Sequence, residues 1–253
     1  HYYENGADEL LYMDIVASLY GRNNLLDMVR RTAREIFIPL TVGGGLRSLD
    51  DIREMLRAGA DKVALNTAAV RRPELIREAS RKFGSSTIVV SIEAIRHADG
   101  VYEAYTDNGR EKTGLEAVAW AKKAAELGAG EILVTSIDRE GTGEGFDLEL
   151  TRMISRAVPL PVIACGGAGS VEHALSAARE GEAQAVCVAS VLHYELLKNH
   201  PVEESFAEGV NTAHLRQGSG FGRIREASLP RLKAYLCENG VDCRHDPKVD
   251  AHA

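Results

Sequence analysis

The chain repeats itself. Pro39-Leu40-Thr41-Val42-Gly43-Gly44-Gly45 returns as Pro161-Val162-Ile163-Ala164-Cys165-Gly166-Gly167, an offset of 122 residues. The same offset carries Ser48 onto Ser170 and Glu9-Leu10-Leu11 onto Glu131-Ile132-Leu133. With one residue inserted, Lys62-Val63-Ala64-Leu65-Asn66-Thr67-Ala68 falls on Ala185-Val186-Cys187-Val188-Ala189-Ser190-Val191. A duplication this long restricts the fold to two equivalent halves. In each copy a run rich in apolar residues meets a glycine cluster, and a serine then opens an amphipathic stretch: strand, tight loop, helix start. Glycines in such a loop let backbone N–H groups approach an anion, and a helix N-terminus adds partial positive charge. Two equivalent phosphate sites imply a ligand with a phosphate at each end.

Strands alternate with helices along the whole chain. Leu10 to Ile15, Leu40 to Val42, Lys62 to Leu65, Thr87 to Ile92, Ile132 to Ile137, Pro161 to Ala164 and Ala185 to Val188 are short apolar runs. Helical spacing separates them over Leu25 to Ile36, Leu49 to Ala58, Pro73 to Phe83, Leu115 to Leu127, Leu148 to Ala157 and Val171 to Arg179, and a last helix is expected at Leu229 to Glu238. So many units favour an α/β fold closed as a (β/α)8 TIM barrel over an open parallel sheet. Seven strands are visible. Under the duplication the strand at Thr87 lacks a counterpart, which would fall before His1, so the sequence is expected to begin inside the first helix, with the first strand absent. One barrel domain is expected over residues 1–244, with an insertion at about 195–222 after the eighth strand and a disordered tail at 245–253.

Composition narrows the function. With 253 residues, 45% hydrophobic and 26% charged, the chain can bury a large core, and its net charge of -7 argues against non-specific binding to nucleic acid or a membrane surface. No apolar run reaches bilayer length. Cys165, Cys187, Cys237 and Cys243 lack metal-site spacing, so the expectation is no metal, no cofactor and reduced thiols in a cytoplasmic protein.

Barrel enzymes keep their chemistry at strand C-termini. There the sequence places Asp14, Asn66-Thr67, Glu93, Asp138-Arg139-Glu140-Gly141-Thr142 and Ala189-Ser190. A hairpin is expected from Gly100 to Gly109. At the opposite strand ends Glu9, Lys62 and Glu131 form a charged set, which by itself reads equally as a solvated ion-pair ring. His173 and His193 fall near the ligand face but read as packing residues, with no Ser or Cys partner for nucleophilic catalysis.

Taken together, Thr41-Val42-Gly43-Gly44-Gly45, Ala60-Asp61-Lys62-Val63, Asn66-Thr67-Ala68-Ala69-Val70, Gly128-Ala129-Gly130-Glu131-Ile132-Leu133, Ser136-Ile137-Asp138-Arg139-Glu140-Gly141-Thr142 and Ala164-Cys165-Gly166-Gly167-Ala168-Gly169 make the chain closely resemble the cyclase subunit of imidazole glycerol phosphate synthase, the HisF family. The resemblance covers about His1 to Tyr194 and Arg225 to Arg244. It implies a half-barrel duplication, a heterodimer with a glutaminase that supplies ammonia, and conversion of a bisphosphorylated aminoimidazole carboxamide ribonucleotide into imidazole glycerol phosphate and AICAR. Carried over by position, Gly44, Gly45, Asn66 and Thr67 would hold one phosphate. Gly166, Gly167, Ala189 and Ser190 would hold the other, with Asp14, Glu140 and Gly141 around the substrate. Glu93 stands at the position of a catalytic aspartate, Glu9, Lys62 and Glu131 match an ammonia gate on the barrel floor, and Asp61 is a candidate glutaminase contact.

Three departures keep other readings open: Glu93 and Glu140 stand where the family has Asp, and the insertion follows the eighth strand. Glutamate preserves the acid but lengthens its reach by one methylene, and a displacement near 1 Å can cost roughly 100-fold in rate. One alternative is a paralogue that channels ammonia into amination of a sugar for surface polysaccharide. A second is a non-catalytic barrel that activates a glutaminase. A third, a phosphosugar isomerase of the sister barrel family, needs no gate, and Glu9, Lys62 and Glu131 speak against it.

Overall fold

A computed structural model describes residues 1–14, 23–199 and 223–244. Strands β1 (Leu10–Met13), β2 (Leu40–Gly43), β3 (Lys62–Leu65), β4 (Ile88–Arg96), β7 (Glu131–Ser136), β8 (Val162–Cys165) and β9 (Ala185–Val186) lie side by side in that order. Every neighbouring pair is parallel. Between them run α1 (Asn23–Glu35), α2 (Leu49–Ala58), α3 (Thr67–Arg71), α4 (Glu74–Phe83), α5 (Ala117–Leu127), α6 (Leu148–Ala157) and α7 (Val171–Arg179), with α8 (Ser190–Asn199) and α9 (Leu229–Glu238) following. This is the parallel strand-and-helix frame of a (β/α)8 TIM barrel.

The two halves superpose residue for residue in their pairing. Leu10 lies opposite Leu40 and Ile132 opposite Val162, both pairs related by the 122-residue offset. The Leu40 N–H donates to the Asp61 carboxylate at 2.9 Å, and the Val162 N–H donates to the Gln184 side chain at 2.8 Å, as the inserted residue requires.

Alternate strand residues face opposite ways. Val42, Val63, Leu65, Ile88, Val90, Ile132 and Val162 pack outward into the main core against Ile52, Leu75, Ile76, Trp120, Leu150 and Ile154 of the helices. Leu11, Met13, Ala64, Val89, Leu133, Ile163, Cys165 and Cys187 form a second cluster inside the barrel. Three helical turns end in the same way before an odd-numbered strand. Gly6, Gly59 and Gly128 adopt positive φ. Their N–H groups and those of Ala7, Ala60 and Ala129 close paired bonds back onto the preceding turn, the Schellman pattern that only a residue free of a Cβ enters without strain.

Several boundaries differ from the sequence reading. The strand expected to stop at Ile92 continues to Arg96, because the antiparallel hairpin of β5 (Tyr102–Thr106) and β6 (Glu111–Glu116) takes over the edge that β3 vacates after Leu65. Glu93 is therefore inside a strand, with Tyr105 opposite on one side and Thr135 on the other. The helix expected from Leu115 starts at Ala117, where the Glu116 carboxylate accepts from the N–H groups of Val118 (2.9 Å) and Ala119 (2.6 Å). Short α3 was not foreseen. Residues 195–199 of the expected insertion belong to α8, while 200–222 and the tail from 245 lie outside the described residues. Among the described residues no helix is long and apolar enough to cross a membrane.

Candidate functional site

The glycine loops are the best-preserved part of the duplication. Gly44 and Gly45 have φ of 104° and 67°, and Gly166 and Gly167 have 91° and 96°. A Cβ on Gly44 would lie 2.2 Å from the Asp14 carbonyl oxygen, and one on Gly166 would lie 2.9 Å from the Ser136 carbonyl oxygen. Asp14 and Ser136 are themselves related by the offset. Each loop thus leaves the sheet by pressing its backbone against the end of the neighbouring strand, a contact no side chain can occupy. Ser48 then caps α2, its hydroxyl accepting from the Asp51 N–H at 3.2 Å, and Ser170 opens α7 in the same extended conformation. The acidic first turn of α2, Asp50 and Asp51, is typical of a helix start.

Beside each loop lies the end of a second strand. Asn66 and Thr67 follow β3, the neighbour of β2, while Ala189 and Ser190 follow β9, the neighbour of β8. The Thr67 hydroxyl accepts from the Asp107 N–H at 3.2 Å, so the hairpin tip is tied to the first loop pair. Ser190 begins α8. In sheet order the two pairs, β2–β3 and β8–β9, flank β4 and β7, the strands that carry the carboxylates.

Glu93 is the central acid. Burial raises its pKa, and the nearby charges of Asp107 and Glu140 add to the rise, while bonds from the Asn66 side chain and the Gly109 N–H pull it back. One of its carboxylate oxygens, Oε2, is buried without a hydrogen-bond partner. Glu140 lies in the turn after β7, and burial raises its pKa as well. Its Oε2 would meet a Cβ on Gly166 at 3.0 Å, which places this carboxylate directly against the second glycine loop. Two acids that burial holds toward their neutral forms, lying between two anion-sized loops, are suited to taking and giving protons.

The loop after β7 and the second glycine loop interlock, a feature sequence reasoning did not register. The Gly145 N–H donates to the Gly167 carbonyl at 2.8 Å, and a Cβ on Gly169 would lie 2.1 Å from the Gly143 carbonyl oxygen. The spacing Gly141-x-Gly143-x-Gly145 was the available signal. His173 braces this junction, its Nδ1 accepting from the Gly169 N–H at 3.1 Å, and burial lowers its pKa. His193 Nδ1 lies 3.3 Å from the Tyr2 hydroxyl. Gly141, at φ 74°, has open space where a side chain would stand.

At the other end of the strands the charged set is a connected cluster centred on Lys62. Lys62 Nζ donates to both Glu9 oxygens at 2.9 Å and to Glu131 Oε1 at 2.6 Å. Each of the three stands three residues beyond one of the Schellman glycines, and they come from β3, β7 and the start of β1, alternate strands of the sheet, as a barrel layer requires. Burial alone lowers the Lys62 pKa, but its bonds to Glu131 and Glu9 outweigh it and the net movement is upward. Asp61 shares this floor beside an open cavity of about 340 Å³ that Phe37, Ile36, Pro39 and Gly59 help to line. Phe37 is 85% exposed.

The histidine biosynthesis protein family profile matches residues 1–198. An imidazole glycerol phosphate synthase subunit HisF from Alkaliphilus metalliredigens (strain QYMF) is 52% identical over 243 residues, 96% of this chain and 84% of that protein. One from Legionella pneumophila is 60% identical over 171 residues, 68% of this chain and 81% of that protein. Duplicated glycine loops, paired acids between them and identity at this level along almost the whole sequence lead to one conclusion: the chain belongs to the histidine biosynthesis protein family, among its HisF members.

Proposed function

We propose that this chain is the cyclase subunit of imidazole glycerol phosphate synthase, joining ammonia to a bisphosphorylated aminoimidazole carboxamide ribonucleotide and releasing imidazole glycerol phosphate and AICAR. The observation that carries the reading is Glu93, an acid held by Asn66 and Gly109 and within electrostatic reach of Glu140, on a strand that lies between the two strands, β2 and β8, that end in matching glycine loops. One phosphate sits on Gly44, Gly45, Asn66 and Thr67, the other on Gly166, Gly167, Ala189 and Ser190. The fixed span between the loops sets the substrate's reacting carbons over Glu93. That acid moves protons to and from the imidazole being formed, and Glu140 and Gly141 bound the second phosphate. Asp14 closes the far side of the first loop. The barrel domain supporting this arrangement runs over residues 1–244.

Ammonia is supplied through the floor. Glu9, Lys62 and Glu131 form a polar cluster across the bottom of the barrel, and a glutaminase seats below it, meeting the exposed carboxylate of Asp61 and the Phe37 ring. The sugar-aminating paralogue rests on Glu93 itself, whose extra methylene moves the acid outward.

The test follows AICAR formation by the full-length protein given ammonia and the bisphosphorylated substrate. Turnover reduced roughly 100- to 10,000-fold by Glu93→Gln is expected, the range that general acid–base groups contribute. A folded protein that binds phosphate yet gives no AICAR would transfer the assignment to the paralogue. With the glutaminase present, Lys62→Ala should lower glutamine-dependent turnover and spare ammonia-dependent turnover. Equal loss of both would remove the gate from the mechanism.

A further inference from the structure

Cys237, near the end of α9, and Cys243, beyond it, face each other with their sulfur atoms 3.2 Å apart. The turn between them is set by Gly240, at φ 70°, whose N–H donates to the Cys237 carbonyl at 2.9 Å while the Val241 N–H donates to that of Leu236 at 3.0 Å. This fourth Schellman cap folds the chain back over the helix it has just left. Cys243 also lies 3.6 Å from the Lys233 carbonyl oxygen and packs beside Leu232, Leu236 and Val241. Both thiols are half-buried, shielded by the turn yet within reach of a small oxidant.

The neighbour of Cys243 ties this turn to the other end of the fold. Arg244 donates to the Ala7 carbonyl and its Nε lies 3.2 Å from Asp8. Lys233, only 5% exposed, donates to Asp8 at 2.7 Å and to the Arg244 carbonyl at 2.6 Å. The segment after α9 is therefore a clasp on the residues that precede β1, one position from Glu9 and its ion-pair cluster.

We propose that Cys237 and Cys243 are an oxidisable dithiol whose disulfide locks this clasp onto the start of β1. With hydrogen peroxide the Cys237 thiolate attacks one oxygen, the O–O bond breaks, and the departing hydroxide takes up a proton as water, leaving a sulfenic acid. The Cys243 sulfur then attacks the sulfenic sulfur. The S–S bond forms, the S–O bond breaks, and the leaving hydroxide carries off the Cys243 proton as a second water. Two thiols and one peroxide become one disulfide and two waters. Burial and the neighbouring Cys237 push the Cys243 thiol up to about 11, so it stays protonated and reacts second.

The experiment treats the full-length protein with hydrogen peroxide, digests it without reductant and maps the linked peptides by mass spectrometry, in parallel with hydrogen exchange over residues 240–244. A Cys237–Cys243 peptide lacking two hydrogens is expected, reversed by dithiothreitol. Exchange in the clasp should slow, by at most about 50-fold on the ring-closure entropy of so short a loop. In Cys243→Ser, Cys237 should instead be trapped as sulfenic acid by dimedone. The proposal is overturned if both residues oxidise separately, if the only linked pair is Cys165 with Cys187, or if the link forms and exchange at 240–244 does not change.

Discussion

Replacing Glu93 with Gln removes a charge from a place where the fold disfavours it. In the native protein Oε2 is buried without a partner, and burial together with Asp107 and Glu140 raises the acid's pKa against the pull of Asn66 and Gly109. A buried polar group left unsatisfied costs about 1–3 kcal/mol. Gln keeps one oxygen to accept from Asn66 and Gly109 and replaces the orphaned anionic oxygen with a neutral amide. Since the residue as a whole is half-buried and its new N–H2 also needs partners, the gain is taken at the low end, about 1 kcal/mol. In a chain of this size that corresponds to roughly 2–4 °C in Tm. The dependence on pH comes from linkage. A carboxyl whose native pKa is raised holds a proton that the unfolded chain has released, so wild-type stability falls as pH rises from its ordinary value of 4.5 through the raised native value, and is flat above it. The Gln variant has no such loss. Thermal melts of both proteins from pH 4 to pH 8 should therefore show the variant's advantage opening with rising pH and vanishing near the acid end. A difference independent of pH, or a wild type that gains on the variant as pH rises, would refute the electrostatic account of this site.

Three further outcomes are expected. Asp147→Ala removes both the cap of α6, where the carboxylate accepts from the Leu150 N–H at 3.0 Å, and the partner of the buried Tyr102 hydroxyl at 3.0 Å. A loss of about 2–4 kcal/mol in urea unfolding is expected from the cap and the stranded hydroxyl together, and Tyr102→Phe in the same chain should recover part of it. Gly169→Ala drives a Cβ to 2.1 Å from the Gly143 carbonyl oxygen, so at least about 1–3 kcal/mol of stability should go, together with inorganic phosphate binding at the second loop by calorimetry. Lys62→Met leaves Glu9 and Glu131 facing each other without a cation. With Glu9 half exposed, the loss at pH 7 should be about 1–2 kcal/mol, less than for a fully buried pair. Because the native Lys62 pKa is raised, the wild-type advantage is complete below the ordinary value of 10.5 and should fade as pH rises beyond it.

Much of this architecture can be read from the duplication. The offset locates both glycine loops, the strand partners and two of the floor charges, Glu9 and Glu131, because equivalent positions must satisfy equivalent backbone bonds, whereas Lys62 has Ala185 as its counterpart. Leu10 facing Leu40 and Ile132 facing Val162 are the clearest instance. The features that escaped were set by contacts between loops. The extension of β4 beyond Ile92 depends on the hairpin supplying a new ladder, which no property of Glu93 or Ala94 announces. The interlock of Gly143 with Gly169 depends on two loops meeting in space, and the pairing of Cys237 with Cys243 depends on a glycine turn whose direction the residues alone do not specify. Short α3 was hidden because five residues carry too little periodicity to register.

A frame of two like halves has a directional problem. An elongated guest with the same group at each end could lie across it in either of two senses, and a symmetric host would not choose. The β5–β6 hairpin breaks that degeneracy. It joins the sheet at one strand, and its tip reaches Thr67 and Glu93 together. On the proposed function, this asymmetric addition to a symmetric vessel sets the polarity of the bound molecule, and shortening that hairpin would be expected to turn a one-way pocket into a two-way one.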